Sequence, residues 1–347
     1  MHTIKTALLS FGMSGKVFHA PFLHLHPGFE LAGAWERSTK KMGAFYPGIT
    51  SYPTLESILE DPSIELVVVN TPTYTHFDYA RQSLLAGKHL IVEKAFTTTV
   101  KEAIELKELA EKVNKKISVY HNRRWDSDFK TVKKVIDAGW LGELKEAEIH
   151  FDRFKPELSP KAHKEVPSAG AGLLKDLGSH IIDSANCLFG FPKAVFADIR
   201  ITRPGSAVDD WFDLLLYHDQ LRVRIKGSLY VREMLPGFIL HGSKGSFLKH
   251  RTDIQETELA AGKPPHLTDW GIEPEADYGL LHTETNGQIR REKITSLPGN
   301  YYDYYEGIYK AITTNSRLPV TAEEGINVMR IIDAAIKSCK EQRVISL

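Results

Sequence analysis

Three runs in the first hundred residues are apolar almost throughout: residues 6–11 (TALLSF), 66–70 (LVVVN) and 89–92 (HLIV), with residues 29–35 (FELAGAW) a fourth of similar kind. A strand with one face in water alternates polar and apolar side chains. A strand covered on both faces does not, and covered strands belong to parallel sheets layered with helices. Between and after these runs, residues 16–25, 55–60, 74–86 and 100–113 repeat their apolar positions at helical spacing. Strand and helix in alternation imply right-handed βαβ units. Residues 117–120 (ISVY) close this half and the polar cluster 121–125 (HNRRW) follows, so a domain boundary is expected near Asn122, dividing the chain into 1–122 and 123–347.

A chain of 347 residues with 42% hydrophobic and 25% charged positions exceeds one comfortable core and suits two domains. Lysine plus arginine and aspartate plus glutamate balance at 44 each, so no net field recommends nucleic acid or an anionic membrane, and a small molecule remains the expected partner. Cys187 and Cys339 stand far apart in sequence and outside any C-x-x-C spacing, which argues against a disulfide framework or a thiolate zinc site and suits the cytoplasm. The first residues lack a signal-peptide pattern, and no run approaches the ~18 apolar residues of a membrane span. Neither secretion nor insertion is expected.

Beyond a helical 129–138 the texture changes. Residues 146–154, 194–202, 212–217 and 221–228 are β-rich with turn residues between them, which predicts a largely antiparallel sheet. In 221–226 (LRVRIK) apolar and cationic side chains alternate, the period of a strand with one open face. That face is expected to meet water or another subunit. Residues 260–277, rich in Gly, Pro, Asp and Glu around Trp270, read as a long loop, and helices are expected at 304–314 and 321–339, the latter opened by a Thr321/Glu324 capping box.

Four constellations carry chemistry. Ser10-Phe11-Gly12-Met13-Ser14-Gly15 keeps the second and third glycines of G-x-G-x-x-G between a strand and a helix, where backbone N–H groups and close packing suit a pyrophosphate. Glu36 ends the next strand about 20 residues on, where an acidic residue accepts from a ribose and disfavours a 2′-phosphate. Its neighbours Arg37, Ser38, Lys40 and Lys41 suit either that phosphate or a solvated helix start. In 89–96 (HLIVEKAF) a buried strand delivers Glu93 and Lys94 to its carboxyl end, where ligands of open α/β sheets collect. Asp176 and His180 lie four apart on one helix face. Read alone, they are better explained as a helix cap and a packed histidine than as an acid/base pair. The histidines include no H-E-x-x-H, and no metal site is expected.

With Gly12, Gly15, Glu36, Glu93-Lys94 and Asp176-x-x-x-His180 in place, the chain resembles the Gfo/Idh/MocA oxidoreductases over essentially its whole length. Residues 118–129 (SVYHNRRWDSDF), 176–183 (DLGSHIID) and 318–335 are most similar to the branch containing NADP-dependent scyllo-inositol dehydrogenase. The resemblance implies a Rossmann NAD(P)-binding domain, then a substrate-binding and oligomerisation α/β domain with a large, mostly antiparallel open sheet. It implies NAD(P)-dependent transfer of a hydride to or from a ring hydroxyl of a polyol or sugar, in a homodimer or homotetramer. It also turns Asp176 and His180 from a cap and a packed ring into an acid/base pair. His180 becomes the base for the substrate hydroxyl, Lys94 the stabiliser of the oxyanion, and Asp176 the group that orients the imidazole. Thr71, Pro72 and His76 would border the cofactor with Glu93, and Tyr120, Asn122 and Arg124 the nicotinamide or substrate. Trp270 would be a lid or a packing anchor.

Three departures stand out. Ser10 replaces the first glycine. Ala95 replaces the proline of the family's E-K-P motif, so a trans Lys94–Ala95 bond is expected. Glu36 favours NAD where the branch favours NADP. Two rival readings are a sugar or anhydro-sugar ketone reductase using the same residues, and a non-catalytic dinucleotide sensor, against which the presence of both Lys94 and His180 argues.

Overall fold

The computed structural model describes residues 2–159, 165–266 and 270–347. The chain folds as two compact units. In the first, six strands form one parallel sheet: β1 (Ile4–Leu8), β2 (Phe29–Trp35), β3 (Thr50–Tyr52), β4 (Leu66–Val69), β5 (His89–Val92) and β6 (Ile117–Val119), in the order β3-β2-β1-β4-β5-β6. Every residue of β4 is fully buried, as the run LVVV requires. The order reverses between β1 and β4, and this is where a doubly wound sheet opens a crevice at its carboxyl edge. The helix Val100–Lys112 begins at a capping box in which Thr99 and Glu102 exchange side-chain-to-backbone bonds.

The expected helix 16–25 is not uniform. Gly15–His19 forms a π-helical turn, closed by the Ala20 N–H on Gly15 O, and Ala20–Leu25 continues as α-helix. Pro21 accounts for the change, since proline has no N–H to give to the carbonyl four residues back and its ring crowds that carbonyl.

The division at Asn122 is simpler than the molecule. Gln255–Trp270 and Asn300–Ile326 belong to the first unit, whereas the sequence pattern assigns all of 123–347 to the second. The reason lies in the aromatic helix Tyr302–Thr313. Phe22 stacks on Tyr305 at 5.5 Å, and the Tyr304 hydroxyl donates to Ser118 Oγ at 2.9 Å, so this helix covers surface that the first 122 residues cannot cover alone. Of the expected loop 260–277, residues 267–269 lie outside the described residues. Gln255–Ala260 is helical, immediately before that stretch.

The second unit holds nine strands: β7 (Leu144–His150), β8 (Ala194–Arg200), β9 (Trp211–Tyr217), β10 (Arg222–Ser228), β11 (Phe238–Gly242), β12 (Gly245–Lys249), β13 (Gly279–Thr285), β14 (Gln288–Ile294) and β15 (Ile345–Ser346). Their order is β14-β13-β12-β11-β7-β10-β9-β8-β15, antiparallel except between β7 and β10. One face packs Ala147, Ile149, Leu214, Leu216, Val223 and Ile225 against residues of three helices, among them Val132, Ile181 and Ile331. On the opposite face Arg222 and Arg224 are exposed, as the alternation in LRVRIK required, and Arg224 pairs with Asp213. Strands β11 to β14 are not among the strands expected from the sequence. β14 (QIRREKI) is an almost wholly exposed edge strand whose charges leave no apolar alternation to read. Among the described residues no helix is long and apolar enough to cross a membrane.

At the end of β7, buried His150 sits with Nε2 2.8 Å from Glu148 Oε2 and Nδ1 3.4 Å from Asp152 Oδ2. Burial alone would lower the His150 pKa, but the two carboxylates outweigh it and the net shift is upward. A histidine raised on folding contributes stability that is complete below its ordinary pKa of ~6.5 and lost as pH rises through the folded value. Thermal unfolding of His150→Gln should therefore fall further below wild type at about pH 6 than at about pH 9. An equal deficit at both pH values would contradict this.

Candidate active site

The glycine turn after β1 closes tightly. Asn70 Nδ2 donates to Ser10 O at 2.8 Å, and a Cβ on Gly15 would lie 2.9 Å from that same nitrogen and against Ser10 O. Only glycine fits there. Ser10 replaces the missing first glycine through its side chain, with Oγ accepting from Gly12 N at 3.1 Å. Gly12 and Met13 form an exposed rim, Met13 at 56%. Exposed backbone backed by a glycine that tolerates no side chain is the cradle a dinucleotide pyrophosphate needs.

Glu36 departs from expectation. Its carboxylate turns inward and accepts from Lys41 N at 2.7 Å, Met42 N at 3.1 Å and Ser51 Oγ at 2.5 Å, leaving the residue 9% exposed. A carboxylate has about four acceptor positions. Three are taken here, two by the backbone that opens the short helix Met42–Phe45 and one by Ser51 on β3, as a buried charge demands. Arg37 to Lys41 are exposed beside it, with the Arg37 guanidinium 5.4 Å over the Trp35 ring.

At the end of β5, one Glu93 oxygen receives the Ser14 hydroxyl and His19 Nε2, the latter at 3.0 Å, and the other accepts Lys94 N at 3.2 Å. Burial would raise the Glu93 pKa. The hydrogen bond and charge of His19, with Ser14 and Lys94, carry it below the usual carboxylate range. The Lys94–Ala95 peptide is cis, against the trans expectation. The two carbonyls that follow Lys94 share one partner: His76 Nδ1 lies 3.1 Å from Ala95 O and 3.2 Å from Phe96 O, while Nε2 lies 2.8 Å from Thr71 O. His76 is 1% exposed, and burial holds its pKa below the ordinary value against the opposing pull of these carbonyls. It ties the segment after β4 to the segment after β5. Thr71 and Pro72 precede it, with Thr71 Oγ1 2.6 Å from Thr75 Oγ1.

Two residues expected beside the substrate belong to the interior of the first unit. Tyr120 is buried, with its hydroxyl on Phe18 O at 3.0 Å and its ring against His19 and Tyr304. Trp270 is the packing anchor of its two readings: it is 5% exposed, and its indole donates to Gln255 Oε1 at 3.0 Å, an oxygen that also accepts Tyr301 N. Asn122 is buried as well.

In the second unit, Asp176 lies on a second π-helical turn, Leu174–Gly178, which leads into the helix Ser179–Phe189 carrying buried His180. The signal missed in the sequence is Asp209. Its Oδ2 accepts Leu174 N at 2.8 Å and its carbonyl accepts Leu173 N at 2.8 Å, so it grips the start of the turn that bears Asp176. Gly172, at φ +101°, leaves the space that the Asp209 carboxylate fills, and burial raises the Asp209 pKa. Arg124 grips Asp183, three residues after His180, with Nε to Oδ2 at 2.8 Å and Nη2 to Oδ1 at 2.7 Å. This bidentate pair ties the residues after Asn122 to the His180 helix.

Two family profiles match the chain: "Oxidoreductase family, NAD-binding Rossmann fold" over residues 4–121 and "Oxidoreductase family, C-terminal alpha/beta domain" over residues 133–347. The scyllo-inositol 2-dehydrogenase (NADP(+)) IolW of Bacillus subtilis strain 168 is 39% identical, across 99% of this chain and 96% of that protein. The uncharacterized oxidoreductase YdgJ of Escherichia coli strain K12 is 38% identical across 99% of both. Among solved structures, the putative oxidoreductase yvaA of B. subtilis has a TM-score of 0.95 at 39% identity, covering 99% of this chain and 98% of that one. A putative oxidoreductase from Bacteroides fragilis NCTC 9343 has a TM-score of 0.92 at 43% identity over the whole of both chains. Two profiles that together span nearly the whole sequence, on a parallel six-stranded sheet followed by a nine-stranded open one, make this chain a member of the Gfo/Idh/MocA oxidoreductases, a family of NAD(P)-dependent dehydrogenases.

Proposed function

We propose that this chain catalyses NADP-linked interconversion of a ring hydroxyl and the corresponding ketone in a cyclic polyol of the scyllo-inositol type. The observation that carries the reading is Lys94 at the carboxyl end of a buried parallel strand, next to a fully bonded Glu93, in a chain similar along its whole length to IolW. When bound, the nicotinamide supplies the hydride acceptor or donor. Gly12, Met13, Ser14 and Gly15 would hold the pyrophosphate of the dinucleotide by backbone. His180 removes the proton from the substrate hydroxyl, and Asp176 orients the imidazole and supports its positive charge. The Lys94 ammonium stabilises the oxygen as negative charge develops there. In the reducing direction His180 returns the proton.

Lys94→Ala and His180→Ala should lower kcat by about 10²- to 10⁴-fold while NADP affinity, read by fluorescence titration, stays near wild type. Asp176→Asn should cost less, because it keeps a hydrogen-bonding side chain and loses only the charge. A folded His180→Ala enzyme with near-normal turnover on a panel of inositols would contradict the base assignment.

Glu36 is the residue that would repel a 2′-phosphate, and its inward bonds take most of that function away. Arg37, Ser38 and Lys40 remain exposed beside it, which supports NADP over NAD. Efficiency with NADP should exceed that with NAD, and Arg37→Ala should lower the NADP value about tenfold, the loss of one charge-assisted contact, with little change for NAD. Glu36→Ala should act mainly on stability, costing about 1–2 kcal/mol as the loss of a helix cap does. If Arg37→Ala leaves the ratio of the two efficiencies unchanged, the 2′-phosphate is not read there.

A further inference from the structure

His19 belongs to no part of the chemistry assigned above, yet it is fully buried and bonded at both ring nitrogens. Nε2 lies 3.0 Å from Glu93 Oε1 and Nδ1 lies 2.9 Å from the Tyr305 hydroxyl. Glu93 is a carboxylate and only accepts, so the proton in the first contact belongs to Nε2. The Tyr305 hydroxyl is itself fixed by Phe18 O at 2.6 Å, an oxygen that also receives Tyr120 at 3.0 Å. The chain of contacts therefore runs from helix Tyr302–Thr313 through His19 to Glu93, and from the second Glu93 oxygen to the backbone N–H of Lys94. An apolar residue would fill this space without needing partners, whereas a buried polar ring must find them. The π-helical turn Gly15–His19 sets the position of the imidazole, and such turns occur mostly where function constrains the chain.

We propose that His19 and Tyr305 are positioning residues for the strand-end pair Glu93 and Lys94, holding the carboxylate in place and the lysine backbone in register for catalysis. The proposal rests on Lys94 being the catalytic lysine. The groups that face Glu93 are Ser14 and His19 from the glycine turn and the π turn, Lys94 from its own segment, His76 from helix His76–Leu85, and Tyr305 from helix Tyr302–Thr313. Of these, His19 does most to offset burial in keeping Glu93 ionised. Its loss leaves burial dominant, so Glu93 protonates at higher pH.

The test compares His19→Ala, His19→Gln, Tyr305→Phe and Lys94→Ala in the full-length protein, with kcat measured from acid to neutral pH and NADP affinity by fluorescence titration. His19→Ala should lower kcat about 10- to 100-fold, the scale of a small misplacement of a reacting group, with NADP affinity near wild type. Its acid limb should move toward neutral pH. His19→Gln, which restores an N–H donor to Glu93, should recover most of the rate and return the acid limb, and Tyr305→Phe should fall between. If His19→Ala does not fold, His19→Gln and Tyr305→Phe carry the test, and a wild-type rate and pH profile for Tyr305→Phe overturns the proposal. It is also overturned if His19→Ala keeps both, or if His19→Gln is no better than His19→Ala. An inactive Lys94→Ala beside a normal His19→Ala removes only this proposal, whereas an active Lys94→Ala removes the reading of the site on which it rests.

Discussion

A parallel sheet covered on both faces has little place for a charged side chain except beyond the ends of its strands. In the first unit β1, β4, β5 and β6 end in Leu8, Val69, Val92 and Val119, all fully buried, and Ser10, Asn70, Glu93 and His121 follow within two positions. Neighbouring strands lie about 4.8 Å apart, so these polar ends become neighbours whatever their separation in sequence. Because each is largely enclosed, each must be bonded. Asn70 answers Ser10, His76 answers Thr71, Ala95 and Phe96, and Glu93 gathers Ser14, His19 and the N–H of Lys94. The lip that offers Lys94 is rigid because the sheet beneath it admits no unpaired charge.

The second unit meets the same requirement by another route. Its sheet is one-sided, and the polar groups that hold the segment bearing Asp176 come from the loop before β9. Asp209 holds the first turn of the segment bearing Asp176 and His180, and the adjacent Asp210 bonds Thr202 and Arg203, which in turn pairs with Glu165. Deeper in the unit, Lys249 and Glu273 form a wholly buried ion pair, tolerated because Thr252, Ser127 and the Asp277 carbonyl complete its bonds. In both units the candidate site residues stand on backbone that buried polar partners hold in place, the kind of preorganisation that the proposed proton and hydride transfer calls for.

Much of this was legible in the chain. Uninterrupted apolar runs gave the parallel strands, the glycine spacing gave the turn, and Thr321 with Glu324 forms the expected reciprocal cap. What was not legible depends on direction and partners. A carboxylate at position 36 looks the same in sequence whether it faces ribose or, as here, the backbone of Lys41 and Met42. Tyr120, His76 and Trp270 are polar-tipped residues near expected ligands, and only the fold shows their tips spent on Phe18, on three carbonyls and on Gln255. The return of residues 300–326 to the first unit has no local signal, since it follows from which apolar surface lacks a cover. One missed element did carry a signal. Asn286-Gly287, both at positive φ, is the two-residue turn joining β13 to β14, and that dipeptide favours a hairpin on its own.

The proposed chemistry is hydride transfer from a ring carbon, and isotopic labelling addresses that directly. Scyllo-inositol carrying deuterium on its ring carbons would be incubated with the protein and NADP, and the reduced nicotinamide isolated and examined by mass spectrometry and proton NMR. The expected result is one deuterium at C4 of the reduced ring, on a single face, with the polyol converted to its ketone. Failure to reduce NADP with any inositol or aldose in a folded sample, or reduced nicotinamide free of deuterium, would contradict it.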